Sequence, residues 1–256
     1  MKIVVLVKEV PSTEARIELR DGKPDASGVQ AVLNPYDEYA IEEAIRLAEG
    51  SPGSSTTAVM AGTEASKKNL TNVLALGVDD AILINDEGLL KGGPLAIAKA
   101  LTAALRPLSA DVILAGRQGV DYDWGLTAIA VAQELGVAHV GLVSKLTISG
   151  GSFSAESEGD DGTLVTEGSL PAVFTTDKGI NEPRYASLKG IMAAKKKTIN
   201  ETNAAALGVQ TDGATVELVG AEYPPARQGG RIIDGASPQE KVSKLVDALK
   251  NEAKVL

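Results

Sequence analysis

The 256-residue sequence contains no cysteine, one histidine and only 3% aromatic residues. The absence of cysteine excludes disulfides, thiolate metal sites and cysteine nucleophiles. His139 lies at the start of an expected strand, so we interpret it as structural and expect no histidine metal cluster and no Ser-His-Asp triad. With so few aromatic residues the core must consist of Val, Ile, Leu and Ala, which suit a parallel sheet buried on both faces.

The chain is also short of positive charge and of long apolar runs. Its net charge of −9 argues against binding to nucleic acid, whose phosphates require a basic surface. No apolar run approaches the roughly 20 residues of a membrane helix, and a short strand is expected directly after Met1, where a signal peptide would have its apolar region. We therefore expect a cytoplasmic globular protein that neither binds nucleic acid nor inserts into a membrane.

Over its first half the sequence alternates short β-branched runs with amphipathic helices. Strands are predicted at residues 3–7, 56–61, 81–84 and 111–115, and helices at about 35–47, 64–76, 94–105 and 124–135. Asn34 is expected to cap the first helix, with Pro35 at its first position. This order predicts an α/β fold with a doubly wound, mostly parallel sheet.

The pattern changes after residue 140. Glycine turns at residues 150–151 and 160–162 predict hairpins, so antiparallel strands should be appended to the parallel ones. Residues 200–235 are rich in Gly, Pro and Thr and predict an extended arm, followed by a helix that begins at Ser237-Pro238. We thus predict an α/β domain over residues 1–199 and a C-terminal arm over residues 200–256. The final helix carries Val242, Leu245, Val246 and Leu249 on one face, which makes a second subunit the natural partner of the arm.

The segment from Gly116 to Thr127 is a candidate nucleotide loop. It lies between the fourth predicted strand and its helix, where glycines let a ligand approach the backbone and free N–H groups can hold a phosphate. It matches neither the Walker A sequence nor the dinucleotide fingerprint. From the residues alone, an ordinary turn capped by Asp121 or Asp123 is an equal alternative.

A second candidate segment runs from Lys178 to Lys197. Pro183 predicts an extended turn over residues 181–184, and Leu188, Ile191 and Met192 then follow at helical spacing. These apolar side chains could pack onto the core of the chain or contact a partner. Packing onto the core is the simpler interpretation of the pattern.

Residues 181–192, Asn-Glu-Pro-Arg-Tyr-Ala-Ser-Leu-Lys-Gly-Ile-Met, closely resemble the signature of the beta (small) subunit of electron transfer flavoproteins. Residues 2–8, 33–38 and 116–121 resemble the same family in the same order, so the resemblance covers nearly the whole chain. It implies a Rossmann-like sheet of the adenine-nucleotide alpha-hydrolase type. It also implies a heterodimer in which the alpha subunit holds most of the FAD and this chain holds AMP.

The resemblance further implies which residues bind cofactors. Thr13 and Tyr36 would approach the flavin, although the family often has an aromatic residue at the position of Thr13. The residues implied to surround AMP are Leu6, Asn34, Pro35, Tyr36, Asp37, Ala61, Gly116, Arg117, Gln118, Gly119, Val120, Asp121, Tyr122, Asp123, Trp124, Gly125, Leu126 and Thr127. Gly125 and Leu126 depart from the family's usual small or amide residue and Gln, while Thr127 fits the AMP-binding carriers better than the flavin-bifurcating branch.

By the same resemblance this chain would be an electron carrier subunit with no catalytic residues of its own. Electrons would pass from acyl-CoA or related dehydrogenases of fatty acid beta-oxidation, through FAD, to a membrane quinone oxidoreductase. The implied dehydrogenase-docking residues are Arg184, Tyr185, Ala186, Ser187, Leu188, Lys189, Gly190, Ile191, Met192 and Ala193, with Leu188 as the anchor. The alternatives are a flavin-bifurcating protein with a second FAD in place of AMP, and a stand-alone nucleotide-binding protein similar to universal stress proteins.

Overall fold

The secondary structure is seen in a computed structural model that describes residues 1–210, 216–227 and 229–256. In this part of the chain the strands are β1 (Lys2–Val7), β2 (Glu9–Pro11), β3 (Glu18–Arg20), β4 (Lys23–Asp25), β5 (Ala31–Leu33), β6 (Ser55–Gly62), β7 (Asp80–Asn85), β8 (Val112–Gly116), β9 (Ala138–Ser149), β10 (Ser152–Gly159), β11 (Gly162–Ser169), β12 (Ala172–Thr176) and β13 (Asn200–Thr202). The helices are α1 (Pro35–Glu49), α2 (Lys67–Leu76), α3 (Glu87–Lys91), α4 (Gly93–Leu105), α5 (Thr127–Leu135), α6 (Leu188–Ala194) and α7 (Pro238–Asp247), with a π-helical turn at Ala248–Glu252.

A nine-stranded sheet organises Met1–Gly220, the larger of the two units into which the chain divides. Its strand order is β11-β10-β9-β12-β8-β1-β6-β7-β13. In this spatial order, each strand from β9 through β12, β8, β1, β6 and β7 to β13 is parallel to its neighbour. The pairs β9–β10 and β10–β11 are antiparallel. Because β1 lies between β6 and β8, the chain winds first to one side and then to the other. The predicted doubly wound α/β fold with appended antiparallel strands is confirmed.

Alternate residues of β1 face the two sides of this sheet. Ile3 and Val5 belong to a cluster formed with α1 and α2, whereas Val4 and Leu6 belong to a cluster formed with α4 and α5. Burial on both sides explains why β1 is a continuous apolar run rather than an alternating one. The helices contribute Ile41, Ala44 and Ile45 from α1, Leu70, Val73 and Leu74 from α2, Leu101 and Leu105 from α4, and Val131 and Ala132 from α5.

The elements that differ from the pattern-based predictions include α5, α3 and β13. Helix α5 begins at Thr127 instead of Trp124, because Asp123 and Gly125 have φ angles of 53° and 59° that interrupt helical geometry. Helix α3 was not predicted, and its start is capped by the side chain of Asp86. Strand β13 pairs in parallel with β7, although irregular structure was expected there.

The second unit, Ala221–Leu256, contains the last predicted helix. Ser237 lies at the N-cap of α7, and its hydroxyl accepts a hydrogen bond from the backbone N–H of Glu240 at 3.3 Å, as predicted. Val242, Leu245 and Val246 on this helix are 59%, 45% and 45% exposed. None of the described helices is long and apolar enough to cross a bilayer.

Candidate functional site

The carboxyl ends of β1, β6 and β8 border a cavity of about 1040 Å³ within the larger unit. This is the edge at which ligands bind in open α/β sheets, next to the strand where the winding direction reverses. Leu6, Ala61 and Ala115 form its floor, one from each of the three strands. The volume lies slightly above the range of roughly 300–1,000 Å³ that is usual for small-molecule sites.

Asn34 and Asp37, at the start of α1, fasten the loop that follows β8. Asn34 Nδ2 donates to the carbonyl of Gln118 at 2.9 Å, and Asn34 Oδ1 accepts from the N–H of Val120 at 3.2 Å. Asp37 accepts from the N–H of Gly116 at 3.1 Å. The prediction that the Asn34 side chain caps α1 is therefore wrong: Asn34 occupies the N-cap position, but among the described residues its side chain bonds to the loop and to Asp37 instead.

Asp37 is almost completely buried between these partners. Burial raises the pKa of its carboxyl group to about 7, although hydrogen bonds from the Asn34 amide and from the N–H groups of Lys8 and Gly116 favour the ionised form. Gly116 must lack a side chain, because a Cβ there would lie 2.4 Å from Asp37 Oδ1 and 2.7 Å from the backbone of Tyr36. The start of the loop is thus fixed by close packing as well as by hydrogen bonds.

The middle of the loop carries charge and aromatic surface into the cavity wall. Lys8 Nζ lies 2.7 Å from Asp121 and 5.7 Å from the centre of the Tyr122 ring. Tyr122 stacks on Trp124 with ring centres 4.9 Å apart. A Cβ at Gly119 would lie 2.7 Å from Asp121 Oδ1 and 3.0 Å from Lys8 Nζ, so a side chain there would displace this ion pair.

The end of the loop is the N-terminus of α5, and it offers free hydrogen-bond donors. The first intrahelical bond that reaches back to Leu126 comes from the N–H of Ala130, at 2.9 Å. The N–H groups of Thr127 and Ala128 therefore have no acceptor in the helix, and no described side chain caps them. Both residues line the cavity. Free N–H groups and the positive end of a helix dipole together suit a phosphate.

Arg117 also lines the cavity, and its guanidinium group is held by neighbouring side chains. Its Nη1 bonds to Asp177 at 2.7 Å, and its guanidinium group lies over the ring of Tyr36 at 5.4 Å. Its Nε is buried and has no hydrogen-bond partner among the described residues.

The opposite wall is apolar and comes from residues that the sequence analysis did not single out. Pro94, Ile97 and Leu101 of α4 line it, together with Leu90 of α3. Residues 216–218 and Lys8, Lys23 and Lys91 are also part of the lining. The only sequence signal for this wall was the Gly-Gly-Pro start of α4. Apolar surface facing a set of N–H donors suits a ligand with a planar apolar part and an anionic part, as in a nucleotide.

The cavity brings together most of the predicted nucleotide contacts. Pro35, Tyr36, Val120 and Asp123 adjoin its lining along the chain without being part of it, and Thr13 lies in an exposed turn after β2. The predicted residues that line the cavity are Leu6, Asn34, Asp37, Ala61, Gly116, Arg117, Gln118, Gly119, Asp121, Tyr122, Trp124, Gly125, Leu126 and Thr127.

His139 lies outside this site. Its Nε2 is 3.4 Å from Thr175 Oγ1, and partial burial lowers the pKa of the imidazole. In the described ranges no group of three or more His, Asp or Glu side chains could hold a metal ion.

The second candidate segment is a loop and short helix held against α1 and α2. Arg184 is bound by two carboxylates of α1, Glu42 and Glu49, each at 2.7 Å. Behind it, Asn181 Nδ2 donates to the carbonyl of Tyr39 and to Glu43, both at 3.0 Å. The predicted extended turn at residues 181–184 is therefore tied down on one side.

Helix α6 then presents apolar side chains to solvent. Tyr185 is 98% exposed, Leu188 75% and Met192 61%. The inner side of α6 packs so closely that a Cβ at Gly190 would lie 2.2 Å from the carbonyl oxygen of Ala75 in α2. Ile191 is 41% exposed, so the simpler interpretation, that these apolar residues pack onto the core, is wrong for Leu188, Ile191 and Met192.

Comparison with known proteins identifies a family to which the sequence is similar. The sequence profile described as "Electron transfer flavoprotein domain" matches residues 24–207. The chain is similar to "Electron transfer flavoprotein subunit beta" of Syntrophomonas wolfei, with 38% identity over all of this chain and 98% of the relative. It is 36% identical to the protein of that name from Bacillus subtilis over the full length of both, and 33% identical to that of Megasphaera elsdenii over 91% of each.

Proposed function

This chain belongs to the electron transfer flavoprotein family as a beta subunit, and on that premise we propose that it binds AMP and docks dehydrogenases within a heterodimeric electron carrier. Its alpha subunit would hold most of the FAD. FAD, when bound, supplies the redox chemistry, and the protein supplies binding and orientation. The proposed donors are acyl-CoA or related dehydrogenases, the proposed acceptor is a membrane quinone oxidoreductase, and the proposed place of action is the cytoplasm.

The observation that carries the nucleotide proposal is the cavity at the carboxyl ends of β1, β6 and β8. The uncapped N-terminus of α5 would hold the phosphate through the N–H groups of Thr127 and Ala128. Leu6 and the apolar side of α4 would contact the base. Asn34 and Asp37 would act indirectly, by holding the loop in shape. AMP in this role stabilises the fold and takes no part in electron transfer.

The docking proposal is supported by the exposed side chains of α6. Leu188 projects from a short helix whose other side is packed on α2. A single aliphatic side chain that enters a pocket of the partner gives a small contact, and small contacts suit a carrier that must exchange rapidly between partners.

The flavin contacts proposed for this chain are supported by fewer observations than the nucleotide and docking sites. Tyr36 lies under the Arg117 guanidinium group at the carboxyl edge of the sheet, where a cofactor held by another subunit could approach. Thr13 is a small polar residue in an exposed turn. We propose Tyr36 as the principal flavin neighbour and Thr13 as a minor one.

Nucleotide content tests this function directly. The chain is co-expressed with the alpha subunit of the same organism, the complex is purified and denatured, and the released FAD and AMP are quantified. One FAD and one AMP per heterodimer are expected. Two FAD and no AMP per heterodimer would contradict the AMP-binding carrier and show that the protein is of the flavin-bifurcating type. A stable, flavin-free monomer that does not associate with the alpha subunit would overturn the carrier function and favour a stand-alone nucleotide-binding protein.

A further inference from the structure

The segment from Asn181 to Ser187 forms neither helix nor strand, yet it is fixed by specific contacts. All three nitrogens of the Arg184 guanidinium group are engaged. Nε bonds to Glu42 at 2.7 Å, Nη1 bonds to Glu49 at 2.7 Å, and Nη2 bonds to both carboxylates at 3.0 and 3.1 Å. The backbone N–H of Arg184 adds a further bond to Glu42 at 3.2 Å. We call this set of contacts the Arg184 clamp.

The two carboxylates of the clamp have different surroundings. The side chain of Glu42 is only 7% exposed, whereas that of Glu49 is 60% exposed at the end of α1. Hydrogen bonding to Arg184 lowers the pKa of Glu49. An ion pair as exposed as Arg184–Glu49 contributes little to the stability of a fold. The bidentate geometry instead fixes the direction of the guanidinium group and of the backbone that carries it.

The residues that directly follow the clamp are the most exposed apolar side chains of this region. Tyr185 adjoins Arg184 and is 98% exposed, and Leu188 begins α6 and is 75% exposed. Ser187 caps α6 by accepting from the N–H of Gly190 at 3.0 Å. The side chains of Tyr185 and Leu188 are thus held in place by their backbone rather than by packing of their own.

We propose that Glu42 and Glu49 are positioning residues for partner docking, which act through Arg184 to keep Tyr185 and Leu188 in the geometry that a dehydrogenase binds. This inference rests on the docking role proposed above. A segment that is ordered before binding does not lose backbone freedom in the complex, so binding is tighter for the same contacts. Without the clamp, the same side chains would still be present, but the segment would have to be ordered at each encounter.

The test compares Glu49→Gln with Glu64→Gln as a matched control. Both residues are exposed carboxylates in ion pairs of 2.7 Å, and Glu64 bonds to Lys67 at the start of α2, away from the docking segment. Hydrogen–deuterium exchange of each purified heterodimer follows peptides that cover residues 181–194. Glu49→Gln is expected to speed exchange in these peptides, and Glu64→Gln is expected to leave it unchanged. Unchanged exchange in Glu49→Gln would overturn the clamp.

The second readout is electron transfer from a dehydrogenase to the heterodimer. A panel of purified acyl-CoA dehydrogenases is tested first, and the one that reduces the unaltered heterodimer fastest is used for the variants. Glu49→Gln should raise its KM for the heterodimer about threefold to tenfold while kcat and FAD content stay constant. Arg184→Lys should behave similarly, because a lysine keeps the charge but not the bidentate bonds. A faster exchange with an unchanged KM would overturn the positioning role.

A double variant separates this inference from the proposed function. In the Leu188→Ala background the effect of Glu49→Gln on KM should be much smaller, because the anchor that the clamp positions is then missing. If the two substitutions raise KM independently, the clamp acts on something other than the anchor, and the inference fails. If no dehydrogenase reduces the unaltered heterodimer, or if Leu188→Ala alone has no effect, the docking function itself fails.

Discussion

At the scale of single residues, Asp37 is both buried, which disfavours a charged carboxylate, and hydrogen-bonded to N–H groups, which favours it. It is a carboxyl group with almost no contact with solvent, and it also holds the cavity loop by accepting N–H groups. Burial raises its pKa to about 7, above the value of about 3.9 for an exposed aspartate. Between these two values the folded chain binds a proton that the unfolded chain has lost. The stability contributed by protonated Asp37 is therefore fully present below about pH 4 and is lost as the pH rises through about 7.

The same carboxyl group lines the cavity in which we place AMP, so nucleotide binding should be linked to proton uptake. The negative charge of a phosphate bound in the same cavity disfavours the ionised form of Asp37 and raises its pKa further. Calorimetry of AMP binding at pH 7.5, in two buffers of different ionisation enthalpy, is expected to show net proton uptake. AMP affinity should correspondingly fall as the pH rises above 7.

The matched variant for this prediction is Asp37→Asn, which has a similar shape and cannot ionise. AMP itself titrates near pH 6 as a phosphate monoester, so the informative quantity is the difference between the two proteins in the same buffers. An equal number of protons taken up by both would show that the protonation state of Asp37 does not change on binding, and would contradict the prediction.

At the scale of elements, helix α5 has a structural cost that a ligand can offset. Thr127 and Ala128 of its first turn line the cavity, and Leu126 at the N-cap has no side-chain acceptor to offer their N–H groups. Ser, Thr, Asp and Asn are the usual residues at this position. An apolar residue there leaves the donors free, which is favourable only if something else accepts from them.

Leu126→Asp should therefore exchange nucleotide affinity for helix stability. A carboxylate at the N-cap would bond to the free N–H groups and repel the phosphate, and we expect AMP to bind at least ~10-fold more weakly, with an unfolding temperature of the nucleotide-free protein that is unchanged or higher. Titration calorimetry and thermal unfolding measure the two effects. Leu126→Asn is the control, since it caps without charge and should cost less affinity. Equal AMP affinity in all three proteins would place the phosphate elsewhere.

The sequence predicted the elements well where burial alone decides them. Runs such as Ile3–Val7 can only be strands in a sheet covered on both sides, and the structure agrees. It failed where tertiary contacts override local pattern. Asn34 matches a capping residue, but its amide is used to hold a loop more than 80 residues away. The apolar wall from α3 and α4 carries no motif, because any apolar helix face at that place would form it.

At the scale of the whole molecule, the second unit is small and presents an apolar helix face. Val242, Leu245 and Val246 of α7 are all about half exposed. Exposed apolar faces of this kind usually mark a contact with another chain. We propose that the C-terminal arm packs on the alpha subunit, and this face is the part of the arm best suited to do so.

Charged residues on this face should prevent assembly. Val242→Glu combined with Leu245→Glu is expected to abolish co-purification with the alpha subunit, because two buried unpaired carboxylates cost more than the contact can return. Ser243→Glu, on another side of the same helix, is the control and should assemble normally. Pull-down of a tagged alpha subunit gives the readout. Normal assembly of the double variant would mean that α7 does not form the subunit contact.

The stacked pair of Tyr122 and Trp124 has a practical consequence. Trp124 is the single tryptophan of the chain, it borders the cavity, and it remains 43% exposed. The fluorescence of this subunit under selective excitation therefore originates at one known place. Its emission wavelength, and its quenching by dissolved iodide or acrylamide, show whether the Trp124 ring is exposed to solvent or shielded from it. The fluorescence of Trp124 can therefore report whether a ligand occupies the cavity, without an attached dye.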